Sequence, residues 1–436
     1  MKFLAILKDS FREALDSKVF YAMIGLSLLL TLLVACVSFK PLPAEEALPN
    51  IVNSFGFRTV YSDRDRSLEQ IPRFVSYEIK DIQKTNDSVE PQQGDYRFTL
   101  QIKEMNDKAE FPKLVYEWSE PAENRLQSED VVPEVSDSLI EEFFKNRFSQ
   151  VGNVQVTSVK RTGPNAFDIE TKGSSAVRGW LHEPRLFFGA LPLSFIHVSL
   201  GYTVYFIEDY LVNGIGAWVG ILIGIVITAF FIPNMLHKGT IDLLLVKPIP
   251  RSVLLLYKFV GGLTFVFLNS VVAVGGIWLA LGLRSGLWSP KVLLIVLVLA
   301  FFFAVLYSIS TLMSTLTKSP VVSILVTCAL WFGFYIVGKT HQAFEQFEKI
   351  PSMKKSLPDW AFTTVNVIHF VTPHTKDLDV LSTRLISEAN LTEGEIRQNK
   401  LDIVQSVSWV ESFVVSGIFV GLMLGLSCWR FASKDF

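Results

Sequence analysis

Charge and cysteine are scarce in this sequence. Asp, Glu, Lys and Arg make up only 19% of its 436 residues, whereas about a quarter is typical of a soluble domain. The three cysteines, Cys36, Cys328 and Cys428, all lie in apolar runs, so we expect neither a disulfide framework nor a cysteine metal site. A net charge of −2 offers no basic surface for nucleic acid.

Recognisable catalytic patterns are also missing. The largest polar segment, residues 40–184, has no cluster of His or Cys and no Ser-His-Asp arrangement. His182 and His197 are isolated, as surface or interfacial histidines often are. Arg284 and Glu411 lie at the ends of apolar runs, not inside them. A charge inside a span would mark an ion path, so these residues give no support for a proton- or sodium-coupled carrier. We therefore predict no catalytic, cofactor-binding or metal-binding residues, and a chain that is not itself an enzyme.

Long apolar runs are what the sequence does contain. Six of them approach the roughly 20 residues that cross a bilayer as a helix. They are Val19–Phe39, Ile215–Met235, Leu254–Leu283, Val292–Met313, Val321–Val337 and Val410–Phe431. A seventh stretch, Leu186–Ile207, is interrupted by Pro192 and followed by Glu208 and Asp209. We interpret it as a helix lying at the outer interface.

The distribution of basic residues predicts the orientation. Lys and Arg concentrate before the first run, between the second and third runs, at Lys318, and after the last run at Arg430 and Lys434. If both termini are inside, all of these residues lie in the cytoplasm, as the positive-inside rule requires. We expect a multi-pass protein of the bacterial inner membrane with both termini cytoplasmic.

The largest polar segment, residues 40–184, lies between the first and second runs and is long enough for a domain. Its ends, at Pro41–Pro43 and Glu183–Pro184, read as linkers. Periodicity predicts strands at Tyr96–Lys103 and Lys113–Trp118, a hairpin of Asn153–Lys160 with Ala166–Thr171, and a helix at Ser136–Gln150. The buried side of that helix would carry Leu139, Ile140, Phe143, Phe144 and Phe148. The segment is predicted to be an extracytoplasmic α+β domain.

A polar and basic island, Leu236–Arg251, separates the second and third runs. Its charged residues are Lys238, Asp242, Lys247 and Arg251. Thr240 can cap a helix, Ile241–Val246 supplies about a turn and a half, and Pro248 stops it. Because so short a helix is not stable alone, we expect it to dock on another protein.

This pattern resembles the first cytoplasmic loop of ABC transporter permeases of the type-2 exporter class. The residues that carry the resemblance are Lys238, Gly239, Thr240, Asp242, Leu243, Leu244, Leu245, Lys247, Pro248, Ile249, Arg251, Lys258, Gly261 and Gly262. The family more often has Glu where this chain has Asp242. The resemblance is strongest over about 214–338 and does not extend over about 41–185.

The resemblance implies a coupling helix at 236–251 that sits in a cleft of the ATP-hydrolysing subunit. Its coupling residues would be Lys238, Gly239, Thr240, Asp242, Leu243, Leu244, Leu245, Lys247, Pro248 and Arg251. The implied partners are a cytoplasmic ABC ATPase subunit, a second permease subunit in a homo- or heterodimer, and membrane lipids, with a periplasmic protein as a further candidate. The implied function is ATP-driven export. The alternative is a non-transporting subunit that moves its outer domain to regulate a periplasmic partner.

Residues 1–17 place Phe3, Leu7 and Phe11 on one helical face, which is typical of a helix on the membrane surface; type-2 exporter permeases have a similar elbow helix. The complete prediction is an α-helical integral membrane protein of about six transmembrane helices with an amphipathic elbow helix and an inserted α+β domain. Its segments are the elbow helix at 1–17, the first span at 18–39, the outer domain at 40–184, an outer interfacial helix at 185–212, spans two to five at 213–338, an extracytoplasmic segment at 339–408, and the last span with a cytoplasmic tail at 409–436.

Two sequence matches are expected to be coincidental. Leu33–Cys36 fits a lipoprotein cleavage box, but the region before it is long and carries acids, unlike a signal peptide. Gly333–Thr340 fits the P-loop expression, but its bulky apolar middle continues the fifth apolar run, so we predict that it belongs to a spanning helix.

Overall fold

The computed structural model of the chain describes residues 18–53, 58–61, 68–71, 75–104, 110–119, 134–151, 154–173, 177–194, 197–235, 250–348, 359–398 and 407–433. The predicted elbow helix at 1–17 lies outside these residues. So does the predicted coupling helix at 236–251, except for its last two residues.

An inserted domain, residues 38–186, follows the first helix, α1 (Lys18–Ala35). Its elements are β1 (Ser38–Pro41), α2 (Ala44–Asn53), β2 (Arg58–Tyr61), β3 (Leu68–Ile71), β4 (Val75–Lys84), β5 (Tyr96–Glu104), α3 (Glu110–Ser119), α4 (Asp137–Val151), β6 (Gln155–Gly163), β7 (Ala166–Lys172) and β8 (Leu181–Leu186). In the described part of the chain, β4, β5, β7 and β6 form an antiparallel sheet in that order, β2 pairs with β3, and β1 pairs with β8.

The core of the inserted domain is rich in phenylalanine. Phe143 and Phe144 of α4 are fully buried, as the sequence predicted. Phe144 packs against Phe111 of α3 and Phe167 of β7, with ring centroids 5.8 and 5.5 Å away. The strand at Tyr96–Lys103, the hairpin of β6 and β7, and the helix at 136–150 are all confirmed. Each buried phenylalanine contributes roughly 1.5 to 3 kcal/mol by removal from water.

Three local predictions for this domain were wrong. Lys113–Trp118, predicted as a strand, lies in α3, because Phe111 and Val115, four residues apart, bury one helical face against α4. The ends predicted as linkers are paired strands, with Pro41 opposite His182 and Lys40 opposite Glu183. His182, predicted at a surface or interface, is buried, and its Nδ1 contacts the carbonyl of Trp180 at 2.9 Å.

The helices after the inserted domain form the membrane bundle. Short strands β9 (Leu191–Pro192) and β10 (Val198–Ser199) lead into α5 (Leu200–Glu208), a π-helical turn (Asp209–Gly214), α6 (Ile215–Thr228), α7 (Phe231–Met235), α8 (Arg251–Ser285), α9 (Ile295–Thr317), α10 (Pro320–Glu348), α11 (Asp359–Val371), α12 (Thr375–Asn390), α13 (Glu393–Gln398) and α14 (Trp409–Ala432). Among the described residues, five helical segments are long and apolar enough to cross a membrane, and α1 is a shorter apolar helix.

The predicted interfacial helix at 185–212 is not a separate element. The described residues 187–194 and 197–199 form a short 3-10 turn (Phe187–Gly189) and the strands β9 and β10. The Oγ of Ser199 caps α5 by accepting from the amide of Tyr202 at 3.1 Å. From Leu200 the helix runs on to Met235 through the π turn. Glu208 and Asp209 do not end it, because the folded chain supplies each carboxylate with a side-chain hydrogen-bond donor.

The segments of the bundle alternate in direction between two ends. We call the end at which α7 stops and α8 starts the loop end, and the end that carries the inserted domain the domain end. At the domain end only two residues separate α1 from β1, and Arg284 Nε of α8 donates to the Val37 carbonyl at 2.9 Å. Gly333–Thr340, the P-loop match, lies inside the continuous helix α10, as predicted, so its amides do not form a phosphate loop.

We expect the inserted domain to fold by itself because it has its own core. Residues 38–186 expressed alone should give a soluble monomer with a cooperative thermal melt. In this fragment Phe144→Ala should cost about 3 to 5 kcal/mol by leaving a cavity among the aromatic rings. Val89→Ala, at a position 95% exposed, should change the free energy of unfolding by less than about 0.5 kcal/mol. Equal effects of the two substitutions would contradict the assigned core.

Candidate functional site in the membrane bundle

A small apolar cluster closes the loop end of the bundle, on either side of residues 236–250. It contains Ile232 and Met235 of α7, Leu254 and Leu255 of α8, and Phe431 of α14. We call this cluster the loop anchor. All five side chains are buried, and Cys428 of α14 also contacts the carbonyl of Ser252, with Sγ 3.8 Å from the oxygen. The two helices that flank the loop are therefore held against each other and against the last helix.

Above the loop anchor, α8 and α9 approach closely at Gly262. A Cβ atom at Gly262 would lie 2.6 Å from the Tyr307 hydroxyl oxygen, so only glycine fits there without displacement of the ring. Tyr307 also stacks on Phe259, with centroids 4.9 Å apart. Small residues allow such close backbone approach between membrane helices. Gly262 belongs to the sequence pattern that continues from the loop into α8.

Between the two ends lies a cavity of about 260 Å³. Its walls come from α1, the π turn, α6 and α8, with Leu299 of α9. Most lining side chains are apolar, and the polar ones include Ser27 of α1 and Asn269 of α8, which are joined by a 3.2 Å hydrogen bond from the Ser27 hydroxyl. Leu26 and Val219 line the cavity and are also exposed at the bundle surface. The cavity therefore suits an apolar ligand.

The π turn shapes this cavity. Leu211 and Val212 of the turn line it, and the wider turn brings the Leu211 carbonyl oxygen to 1.7 Å from where a Cβ of Gly216 would stand. Position 216 therefore requires glycine. Single π turns inside α-helices are frequent at functional sites.

A buried polar cluster covers the domain end. Asn390 at the end of α12 donates to Glu208 at 2.6 Å. Thr383 of α12 donates to Asp209 at 2.9 Å and accepts from Asn213 at 2.8 Å. A carboxylate removed from water destabilises the fold unless hydrogen-bond donors satisfy it. These contacts therefore hold α12 against α5 and the π turn.

The strand that leads into α5 is fixed in the same way. Ser199 donates to Glu395 of α13, and the amide of Thr392 donates to the same carboxylate at 2.8 Å. Burial raises the pKa of Glu395, an effect that the hydrogen bonds from Ser199 and Thr392 partly offset. Helices α12 and α13 thus form a polar cap on the domain end.

Residues 4–436 match the family model described as ABC-2 family transporter protein. The chain belongs to this family. Neither a curated protein nor a solved structure matches the chain. The assignment confirms the family that the sequence predicted, and makes the chain a multi-pass membrane permease component of an ABC transporter. Such components generally work with a cytoplasmic ATPase and are generally not catalytic themselves.

The predicted coupling residues from Lys238 to Pro248 lie outside the described residues, so their role stays a prediction. Arg251 is the first residue of α8, and Lys258 is buried farther along the same helix. The sequence did not predict the cavity, because its walls come from separate helices. It also missed a group formed by His369, His374 and Asp377, for which the spacing His-x4-His-x2-Asp was the available signal.

The loop anchor predicts different effects at two neighbouring leucines of α8. Leu255 is fully buried, whereas Leu256 is 38% exposed. Leu255→Ala should destabilise the protein by about 2 to 5 kcal/mol and lower its thermal midpoint in detergent, while Leu256→Ala should shift it little. A larger loss at Leu256 would contradict the packing of α8 against α7 and α14.

Proposed function

We propose that this chain is the membrane-spanning permease subunit of an ATP-driven exporter in the bacterial inner membrane. It would work with a separate cytoplasmic ATPase subunit and a second permease subunit, in a homo- or heterodimer. In this proposal six helical segments cross the bilayer, both termini and the loop end are cytoplasmic, and the inserted domain is extracytoplasmic. The observation that carries the proposal is the loop anchor, which joins the two helices that flank the predicted coupling segment and that also line the cavity.

The coupling route follows from the connections of two helices. The segment before the loop, α6 with α7, carries Gly220 and Ile221 of the cavity wall. The helix after the loop, α8, carries Asn269 and Ile277 of the opposite wall. A helix docked on the ATPase at 236–251 would therefore pull on both walls at once. Because packed helices are not continuously deformable, such movement is expected to switch the bundle between discrete arrangements.

The cavity supports an apolar substrate, such as a lipid or a lipophilic molecule. Its polar lining atoms are few, and the Ser27 hydroxyl donates to Oδ1 of Asn269. Leu26 and Val219 connect the cavity to the side of the bundle, where the acyl chains of a bilayer would lie. Entry from the membrane would avoid transfer of an apolar molecule through water.

A second candidate function is mechanical transmission to a periplasmic partner without transport. The contact that favours it is at the domain end, where Arg284 of α8 binds the Val37 carbonyl and its guanidinium lies 5.4 Å from the Phe188 ring centroid. Through this contact α8 reaches both the start and the end of the inserted domain. Movement of α8 would therefore move the inserted domain.

The coupling segment can be tested by reversing its acidic charge. Asp242→Arg should weaken association with the cognate ATPase by at least about tenfold, because a wrong charge in a docking cleft is not compensated. Co-purification of the ATPase and the ATPase activity of the complex measure this effect. The control is Glu46→Arg, the same charge change at an exposed position of the inserted domain, which should leave association unchanged. Unaltered co-purification with Asp242→Arg would contradict the coupling role.

The cavity can be tested by filling it. A Cβ atom at either Gly220 or Gly275 would meet no atom within 4 Å, but only Gly220 lines the cavity. A photoactivatable acyl-chain lipid analogue should label cavity-lining peptides in the wild type and in Gly275→Leu, and much less in Gly220→Leu. Equal labelling of all three proteins would argue against the cavity as a substrate site and in favour of mechanical transmission.

A further inference from the structure

Three side chains with metal-binding atoms converge at the domain end, away from the cavity. His369 lies near the end of α11, His374 in the connection to α12, and Asp377 in the first turn of α12. They are 8%, 3% and 8% exposed. We call them the His-His-Asp cluster. Their nearest ligand atoms all lie within 4.8 Å of one another.

The distances in the cluster suit a small tetrahedral cation. Asp377 Oδ2 lies 3.2 Å from His374 Nδ1 and 3.4 Å from His369 Nε2. Zinc binds imidazole nitrogen and carboxylate oxygen at about 2.0 to 2.2 Å, which separates neighbouring ligands of a tetrahedron by roughly 3.3 to 3.5 Å. Both distances to Asp377 fit one ion, and the stacked rings of His369 and His374, 4.0 Å apart, would have to tilt apart for both nitrogens to point at it.

The hydrogen-bond partners of His374 also suit a metal ligand. Its Nε2 lies 3.1 Å from the backbone carbonyl oxygen of His369, which can only accept, so Nε2 carries a proton. In a neutral imidazole the other nitrogen, Nδ1, is then an acceptor. It faces the carboxylate oxygen of Asp377, also an acceptor, at 3.2 Å, so a neutral His374 requires a cation bound by both groups, whereas a protonated His374 would donate to Asp377 directly. A metal-binding histidine typically donates its second N–H to a backbone carbonyl in this way.

The surroundings hold these ligands in place. The ring of His369 is stacked between His374 and His341, with centroids 4.0 and 3.8 Å away. The amide of His374 donates to Ser416 Oγ of α14 at 3.1 Å. Side chains that are fixed before a ligand binds lose little conformational freedom when it does.

We propose that the His-His-Asp cluster binds a divalent transition-metal ion of the zinc type. His369 Nε2, His374 Nδ1 and a carboxylate oxygen of Asp377 are the ligands, and a water molecule completes the tetrahedron. The ion clamps the end of α11 to the start of α12, and through His374 it steadies the contact with α14. This site is independent of ATPase coupling and of any exported substrate.

The test uses the full chain purified with a histidine-free affinity tag. The protein is stripped with a chelator, dialysed against Zn²⁺ at neutral pH, and analysed for metal by mass spectrometry, with affinity from calorimetric titration. We expect about one Zn²⁺ per chain. Asp377→Asn and His374→Gln should each weaken binding by about 10- to 100-fold or more, whereas His197→Asn, at an exposed histidine, should leave it unchanged.

The wild-type measurement decides the proposal even if a variant fails to fold. A wild-type chain without Zn²⁺ above background would overturn it, and would mean that a proton on His374 links the ring to Asp377. Binding that persists at full affinity in folded Asp377→Asn and His374→Gln chains would also overturn it, because the metal would then lie elsewhere. Loss of Zn²⁺ in folded variants supports it.

Discussion

Apolar packing among α7, α8 and α14 at the loop end is the interaction on which the proposed mechanism depends. The predicted coupling helix is too short to be stable alone, so any force that it receives must pass into the helices that flank it. Leu255 and Phe431 are fully buried in this contact. Without such packing, a movement of the loop would be absorbed locally, since an unpacked helix end frays at little cost.

The domain end is held by different chemistry. There Glu208 is buried and Asp209 is half-buried beside the polar face of α12, and each carboxylate accepts a side-chain hydrogen bond from that helix. Apolar contacts tolerate sliding, but a buried carboxylate that loses its partner pays the desolvation cost. The bundle is thus packed by apolar side chains at one end and positioned by directional hydrogen bonds at the other, with the cavity between them.

Sequence reasoning succeeded where a local pattern also decides the packing. The helix with Phe143 and Phe144 and the hairpin around Gly163 have a strict period and a clear turn signal, and both are present. It failed at Lys113–Trp118, where six residues fit a strand or a helix and the contact of Phe111 with α4 decides. It failed again for the interfacial helix predicted at 185–212. Two acidic residues, Glu208 and Asp209, look like the end of an apolar segment in the sequence, and only the fold shows that Asn390 and Thr383 bind them.

The sequence by itself determined that the chain enters a membrane, that a polar domain is inserted after the first apolar run, and that the loop at 236–251 resembles a coupling segment. These properties depend on composition and on neighbours within a few residues. Only the tertiary structure decided the loop anchor, the cavity and the buried polar cluster, since Glu208 and Asn390 are 182 positions apart. The His-His-Asp cluster lies between these cases. Its residues are close in sequence, but only the turn between α11 and α12 brings the three ligand atoms together.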